Sequence, residues 1–186
     1  SKSINYLNSI IKKLKNKKIQ NLEVDFKESW KGIFNAHPWI KDVKDSYLGY
    51  WKKGGGALSE HSHALNLWMI LSSITNSGRV SEVFMSSNIY KDNFVEYDQS
   101  SYITLKTEKG IYGRVSQDIF TFPAIKMARL QFENNHIEWH CNKFEKYDLV
   151  NYLNNNKIKN KKFNKTRPDD FIQELRHISK IKNKKQ

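Results

Sequence analysis

The chain has 186 residues, a formal net charge of +13, 38% hydrophobic and 13% aromatic residues, and one cysteine. That length suits one hydrophobic core, and the aromatic content excludes a disordered chain, which would lack the apolar surface to offset its ordering entropy. A lone Cys141 excludes an internal disulfide framework and fits a reducing, cytoplasmic compartment, and no apolar run approaches the roughly 18–20 residues of a membrane helix.

The first element is a predicted amphipathic helix: Ile4, Leu7, Ile10, Ile11 and Leu14 recur at helical spacing, with lysines on the other face. Leu22, Val24 and Phe26 then alternate with polar residues, which predicts a strand. Residues 31–53 hold no sustained period, and Pro38 biases His37 towards an extended conformation, so this stretch reads as an aromatic loop. Gly54-Gly55-Gly56 opens a predicted helix through Ser73, with Leu58, Leu65, Trp68 and Leu71 as its apolar stripe. Between residues 80 and 141, the segments VSEVFMSSNIY, YITLKT, IYGRVSQDIFTF, KMARLQFEN and HIEWHCN read as strands, with turns at Lys109-Gly110 and Asn134-Asn135. After Tyr147 the low-complexity run NYLNNNKIKNKKFNK reads as an exposed loop. A last helix is predicted from Pro168, with Asp169 and Asp170 at its positive end and FIQELRHISKI behind them.

This order predicts one α+β domain: an open, mainly antiparallel sheet with helices packed on one face. Residues 1–153 form its body, 154–167 a Lys/Asn-rich loop, and 168–186 the terminal helix and basic tail of the same domain.

A charge of +13 invites a nucleic-acid partner. Its distribution argues otherwise: residues 1–20 carry +6, residues 142–186 carry +8, and the body between them −1. Of the basic residues 27 are Lys and only 5 Arg, whereas bidentate phosphate and guanine recognition favours Arg. Nucleic-acid binding is therefore disfavoured.

The densest chemistry lies in Gly54–Asn66, GGGALSEHSHALN. On one helix, Glu60, His63 and Asn66 share a face, and a carboxylate one turn from an imidazole can fix its tautomer, as a general acid/base requires. The same residues also suit an ordinary surface helix with an incidental His. Gly54-x-Gly56-x-x-Ser59 falls short of a dinucleotide fingerprint because Trp51-Lys52-Lys53 precedes it where a hydrophobic strand should stand. His61 and His63 point to opposite sides of a helix, and His136 and His140 lie about 13 Å apart along a strand, so neither pair predicts a metal site. His37-Pro38-Trp39, with Tyr47, Tyr50 and Trp51, suits either packing against a sugar ring or nicotinamide, or simple pinning of the loop to the sheet.

The run His37-Pro38-Trp39, Asp45-Ser46-Tyr47 and Lys53 to Asn66 resembles the C-terminal domain of the Gfo/Idh/MocA oxidoreductases, whose nearer members read HPW, Ser-Tyr, then GGG-x-L-x-[DE]-x-S-H-x-x-[DN]. SINYLNSIIKKLKNKKIQNLEV looks like the first helix and strand of that domain, and ARLQFENNHIEWHC like its strand pair, with Asn134 and Asn135 where a Gly is usual. DDFIQELRHISKI resembles its late helix, so the pieces cover nearly the whole chain in family order.

The resemblance implies NAD- or NADP-dependent hydride transfer on a sugar or nucleotide sugar. His63 would be the acid/base and Glu60 the preceding acid, though many members space the two by four, which would put Ser59 in the acid's place. Asn66 stands where Asp is common, and His37, Trp39, Tyr47 and Lys53 would border the substrate pocket. It also implies a Rossmann domain in cis or trans that binds the cofactor, and a homo-oligomer formed through the exposed sheet face. By this resemblance the chain is a C-terminal piece that lacks the cofactor's phosphate-binding turn. The alternative is a non-catalytic sugar-binding or assembly module of the same fold.

Overall fold

The computed structural model describes residues 1–14, 17–143, 146–154, 157–164 and 168–183. Among these residues, strand β1 (Ile19–Lys27) runs inside an eight-stranded sheet with β2 (Val80–Lys91), β3 (Glu96–Thr107), β4 (Tyr112–Asp118), β5 (Ile125–Phe132), β6 (Asn135–Lys143), β7 (Tyr147–Asn154) and β8 (Lys157–Asn164). The order is β2-β3-β4-β1-β5-β6-β7-β8. Neighbours pair antiparallel except β1 and β4, which run parallel.

The alternation in β1 decides which face is covered. Leu22 and Val24 stand beside Gly113 and Val115 of β4 and beside Leu130 and Ala128 of β5, all buried. Helices α1 (Lys2–Lys13), α3 (Ala57–Glu60) and α4 (His63–Ile74) pack on this face, α1 over β6–β8 and α4 over β1 and β4. Leu7, Ile10 and Ile11 of α1 and Trp68 and Leu71 of α4 enter one core with them. Each such aliphatic side chain contributes roughly 1.5–3 kcal/mol on burial. Gly113 is what lets α4 lie close: a β-carbon there would stand 2.5 Å from Trp68 Nε1 and 2.6 Å from the Leu22 carbonyl oxygen. The indole donates instead to that carbonyl at 2.9 Å.

The opposite face is open. Its centre is ionic rather than apolar: Arg114 reaches Glu23 at 3.2 Å and Asp25 at 3.5 Å, and Arg129 pairs with Glu138. Phe84, Tyr102 and Tyr112 are exposed towards the β2 edge.

Three expectations need correction. The helix foreseen from Gly54 to Ser73 is two, α3 and α4, broken at His61-Ser62. The aromatic loop holds α2 (Lys31–Ala36) and three 3-10 turns, Val43–Asp45, Tyr47–Gly49 and Trp51–Lys53. The Lys/Asn-rich stretch is the end of β7 and the edge strand β8, every residue of which pairs with β7. Lysine on a sheet edge discourages further pairing, and its stem covers apolar surface: Lys161 Nζ lies 4.5 Å from the centroid of Tyr6. Residues 165–167 and the basic tail after Asn183 lie outside the described residues. The terminal helix is present as α5 (Pro168–Asn183), with Phe171, Leu175 and Ile178 exposed.

One irregularity in the sheet bears on the site. Between Asn88 and Ile89 the β2–β3 register shifts, pairing Asn88 with Ser100 and Ile89 with Asp98 and leaving Gln99 over. This bulge turns Asp98 to the helix-covered face.

Candidate functional site

The glycine run is held from two sides. A β-carbon on Gly55 would lie 2.3 Å from the Leu48 carbonyl oxygen and 2.4 Å from that of Tyr47. Gly56 donates to the Leu48 carbonyl at 3.1 Å and has φ +89°. On the other side stands Asp98, whose Oδ2 accepts from the Leu58 amide at 2.8 Å and the Ser101 hydroxyl at 2.7 Å. A buried carboxylate thus caps the four-residue helix α3, and α3 aims the side chains that follow.

The break between α3 and α4 is held from below. Gln117 of β4 donates from Nε2 to the His61 carbonyl at 2.6 Å and reaches the Leu58 carbonyl at 3.3 Å. His61 itself is buried, and its Nε2 has no hydrogen-bond partner. Burial, with Lys126 nearby, pulls its pKa down against the opposing pull of Glu28 and Glu60.

Glu60 ends α3, and its carboxylate accepts the Tyr47 hydroxyl at 2.5 Å. That hydrogen bond, helped by partial burial and the carboxylate's charge, pushes the Tyr47 pKa up to about 12. His63 and Asn66 are exposed on the first turns of α4, and Met69 and Ile70 continue the same exposed side. The structure therefore brings Tyr47 to Glu60 and sets His63 beside Asn66. No hydrogen bond joins Glu60 to His63 among the described residues; the acid is held by the loop instead. His37 accepts or donates at Nδ1 with the Ile33 carbonyl at 2.8 Å and meets Trp39 edge-on at 5.0 Å. Lys53 Nζ sits 4.2 Å from the Tyr50 ring centroid.

Next to α3 lies a cavity of about 250 Å³ lined by Trp51, Leu58, Ser59, Met85, Glu96 and Asp98, among others. Sequence reasoning missed Asp98, Gln117 and the burial of His61. Asp98 carries no local signal, because only the bulge at Gln99 turns it inwards; Gln117 reads as an ordinary strand residue. Among the described residues no group of three or more His, Cys, Asp or Glu could hold a metal, and no helix is long and apolar enough to cross a membrane.

The residues present do not fit a dinucleotide's phosphates. A 3-10 turn, not a strand, leads into the glycines, and the Asp98 carboxylate already occupies the α3 N-terminus where an anion would sit.

No protein-family model and no curated protein matches the sequence. Solved structures match its fold. An oxidoreductase from Thermotoga maritima superposes with a TM-score of 0.65 at 12% identity, covering 94% of this chain and 50% of that one. An inositol dehydrogenase homolog from Azotobacter vinelandii, complexed with NAD+, gives 0.59 at 13% identity over 83% of this chain and 39% of that one. The WlbA dehydrogenase of Bordetella pertussis, in complex with NADH and UDP-GlcNAcA, gives 0.52 at 17% over 91% and 45%. At such identities what is shared is the fold, and it is the α+β fold that the Gfo/Idh/MocA resemblance implies. The chain spans between 37% and 50% of the lengths of the structures it matches.

Proposed function

We propose that the chain is the substrate-binding half of an NAD- or NADP-dependent oxidoreductase acting on a sugar or nucleotide sugar. The observation that carries this reading is the break between α3 and α4. The glycine run, Asp98 and Gln117 fix the backbone, and Ser59, Glu60, His63 and Asn66 are left reachable around it. In this reading His63 takes the proton from the reacting hydroxyl, or returns it to the ketone. Glu60, steadied by Tyr47, supplies negative charge beside it, and Asn66 holds a neighbouring hydroxyl. A hydride acceptor would come from a nicotinamide on a Rossmann domain, in cis or trans. That domain would cover the exposed side of α4, where Met69 and Ile70 extend the line of His63 and Asn66. His37, Trp39 and Lys53 line the approach. The protein would work in the cytoplasm as a homo-oligomer.

The test is to fuse or mix the chain with a cognate Rossmann domain and follow NAD(P)H turnover with sugar substrates. Loss of turnover by a factor of about 10² or more in His63→Ala supports the assignment, in line with the usual share of general acid–base catalysis. Full activity in that variant refutes it.

A specific observation keeps the second reading, a non-catalytic sugar-binding module, in play. Glu60 is bonded to Tyr47 and not to His63. If mixed chains bind sugar but never oxidise it, the module reading stands.

A further inference from the structure

We infer that the cavity between α3 and the inner face of β2 and β3 is a subsite for a neutral sugar ring carrying an acetamido group. This deepens the reading above, on which it rests, by saying where the non-reacting part of the substrate sits. At about 250 Å³ the cavity is smaller than the roughly 300–1,000 Å³ of sites for drug-sized ligands, so it suits one ring.

Its chemistry is specific. Asp98 is 7% exposed. One of its oxygens is spent on the Leu58 amide and Ser101, and the other has no hydrogen-bond partner among the described residues. A buried acceptor of this kind calls for a donor, and a hydroxyl supplies one without bringing a charge. Glu96 adds a second carboxylate at the rim, where Lys91 holds it at 2.9 Å. Two acids repel phosphate and carboxylate ligands. Trp51, 53% exposed, offers an aromatic face to the C–H side of a ring. Leu58 and Met85 give the wall an apolar stretch that fits an acetyl methyl. Ser59 faces this cavity while its neighbour Glu60 is bonded to Tyr47, so one short helix borders both the subsite and the proposed reacting end.

The test titrates the full chain with N-acetylglucosamine and, separately, myo-inositol, following the Met85 methyl and Trp51 indole N–H signals by NMR. N-acetylglucosamine should shift both signals and bind more tightly than myo-inositol. Asp98→Asn keeps an oxygen for the Leu58 amide but sets a donor against the ligand's hydroxyl; it should weaken binding about ten- to a hundredfold with an unchanged melting curve. Trp51→Ala should also weaken it, and Glu60→Gln should not. No shift with either probe, or an Asp98→Asn affinity equal to wild type, overturns the subsite. Turnover with a KM indifferent to Asp98→Asn overturns it too while leaving the oxidoreductase reading intact. Binding in the cavity without turnover in the fused enzyme does the reverse.

Discussion

Asp98 and Gly56 meet so closely that a β-carbon on Gly56 would stand 1.9 Å from Asp98 Oδ1. The carboxylate is buried, it caps α3, and Gly56 takes φ +89° and ψ 168°, a conformation reserved almost wholly for glycine. Two separate costs therefore attach to Gly56→Ala: backbone strain of about 1–3 kcal/mol, and displacement of a buried acceptor from its bonds, about 1–3 kcal/mol. Gly54 has φ +87° but nothing within 4 Å of its would-be β-carbon. Gly54→Ala should thus cost only about 1–2 kcal/mol. Urea denaturation of the two variants checks this; equal losses would mean the Asp98 contact contributes nothing.

Tyr47 should titrate late. Its pKa is pushed up to about 12, first by its hydrogen bond to Glu60. In the unfolded chain a tyrosine ionises near 10. Between those values the native state keeps a proton that the unfolded state loses, so stability falls as pH rises. The pair's contribution is complete below about pH 10 and gone above about pH 12. Difference titration of phenolate absorbance between wild type and Tyr47→Phe should reveal one tyrosine ionising near 12. Glu60→Gln removes the carboxylate charge and should bring that transition back towards 10. An unmoved transition in Glu60→Gln would show that the bond is absent in solution.

Much of this was legible in the chain, and the failures share a cause. The strands at Val80, Tyr102, Tyr112, Lys126 and His136 announce themselves because β-branched and aromatic residues mark a half-buried pleat. β8 does not, because its lysines carry no hydrophobic pattern; pairing with β7 and contact with Tyr6 hold it. Glycine spacing and the residues around His63 located the site. The break at His61-Ser62, the Tyr47–Glu60 bond and the inward turn of Asp98 depend on contacts across 13 to 56 residues of chain, which no local period encodes.

His61 should resist protonation. Burial lowers its pKa, Lys126 adds to the effect, and Glu28 and Glu60 act against it. Below the unfolded pKa of about 6.5 the unfolded chain binds a proton that the native state refuses, so stability rises with pH through this window and is lost on acidification. NMR titration should find one imidazole still neutral where the exposed His63 has charged. His61→Leu should flatten the loss of stability between about pH 6.5 and 5. An unchanged slope in that variant would mean that His61 protonates without leaving its site.

The open face of the sheet gives the last expectation. Its ionic centre satisfies itself through Arg114 with Glu23 and Asp25, and Arg129 with Glu138, so charge alone does not call for a partner there. Phe84, at 67% exposure, and Tyr102, at 47%, are different, because they leave aromatic surface in water beside the bare β2 edge. A second copy laid across this half of the face would bury that surface, and we expect a homodimer in sedimentation equilibrium. Phe84→Glu with Tyr102→Glu should yield a folded monomer, since both side chains already stand in solvent and contribute little to the fold. A wild-type chain that sediments as a monomer at tens of micromolar would rule this interface out. A dimer untouched by the double variant would move the contact elsewhere, and the lysine-lined β8 edge would be the least favourable place to look.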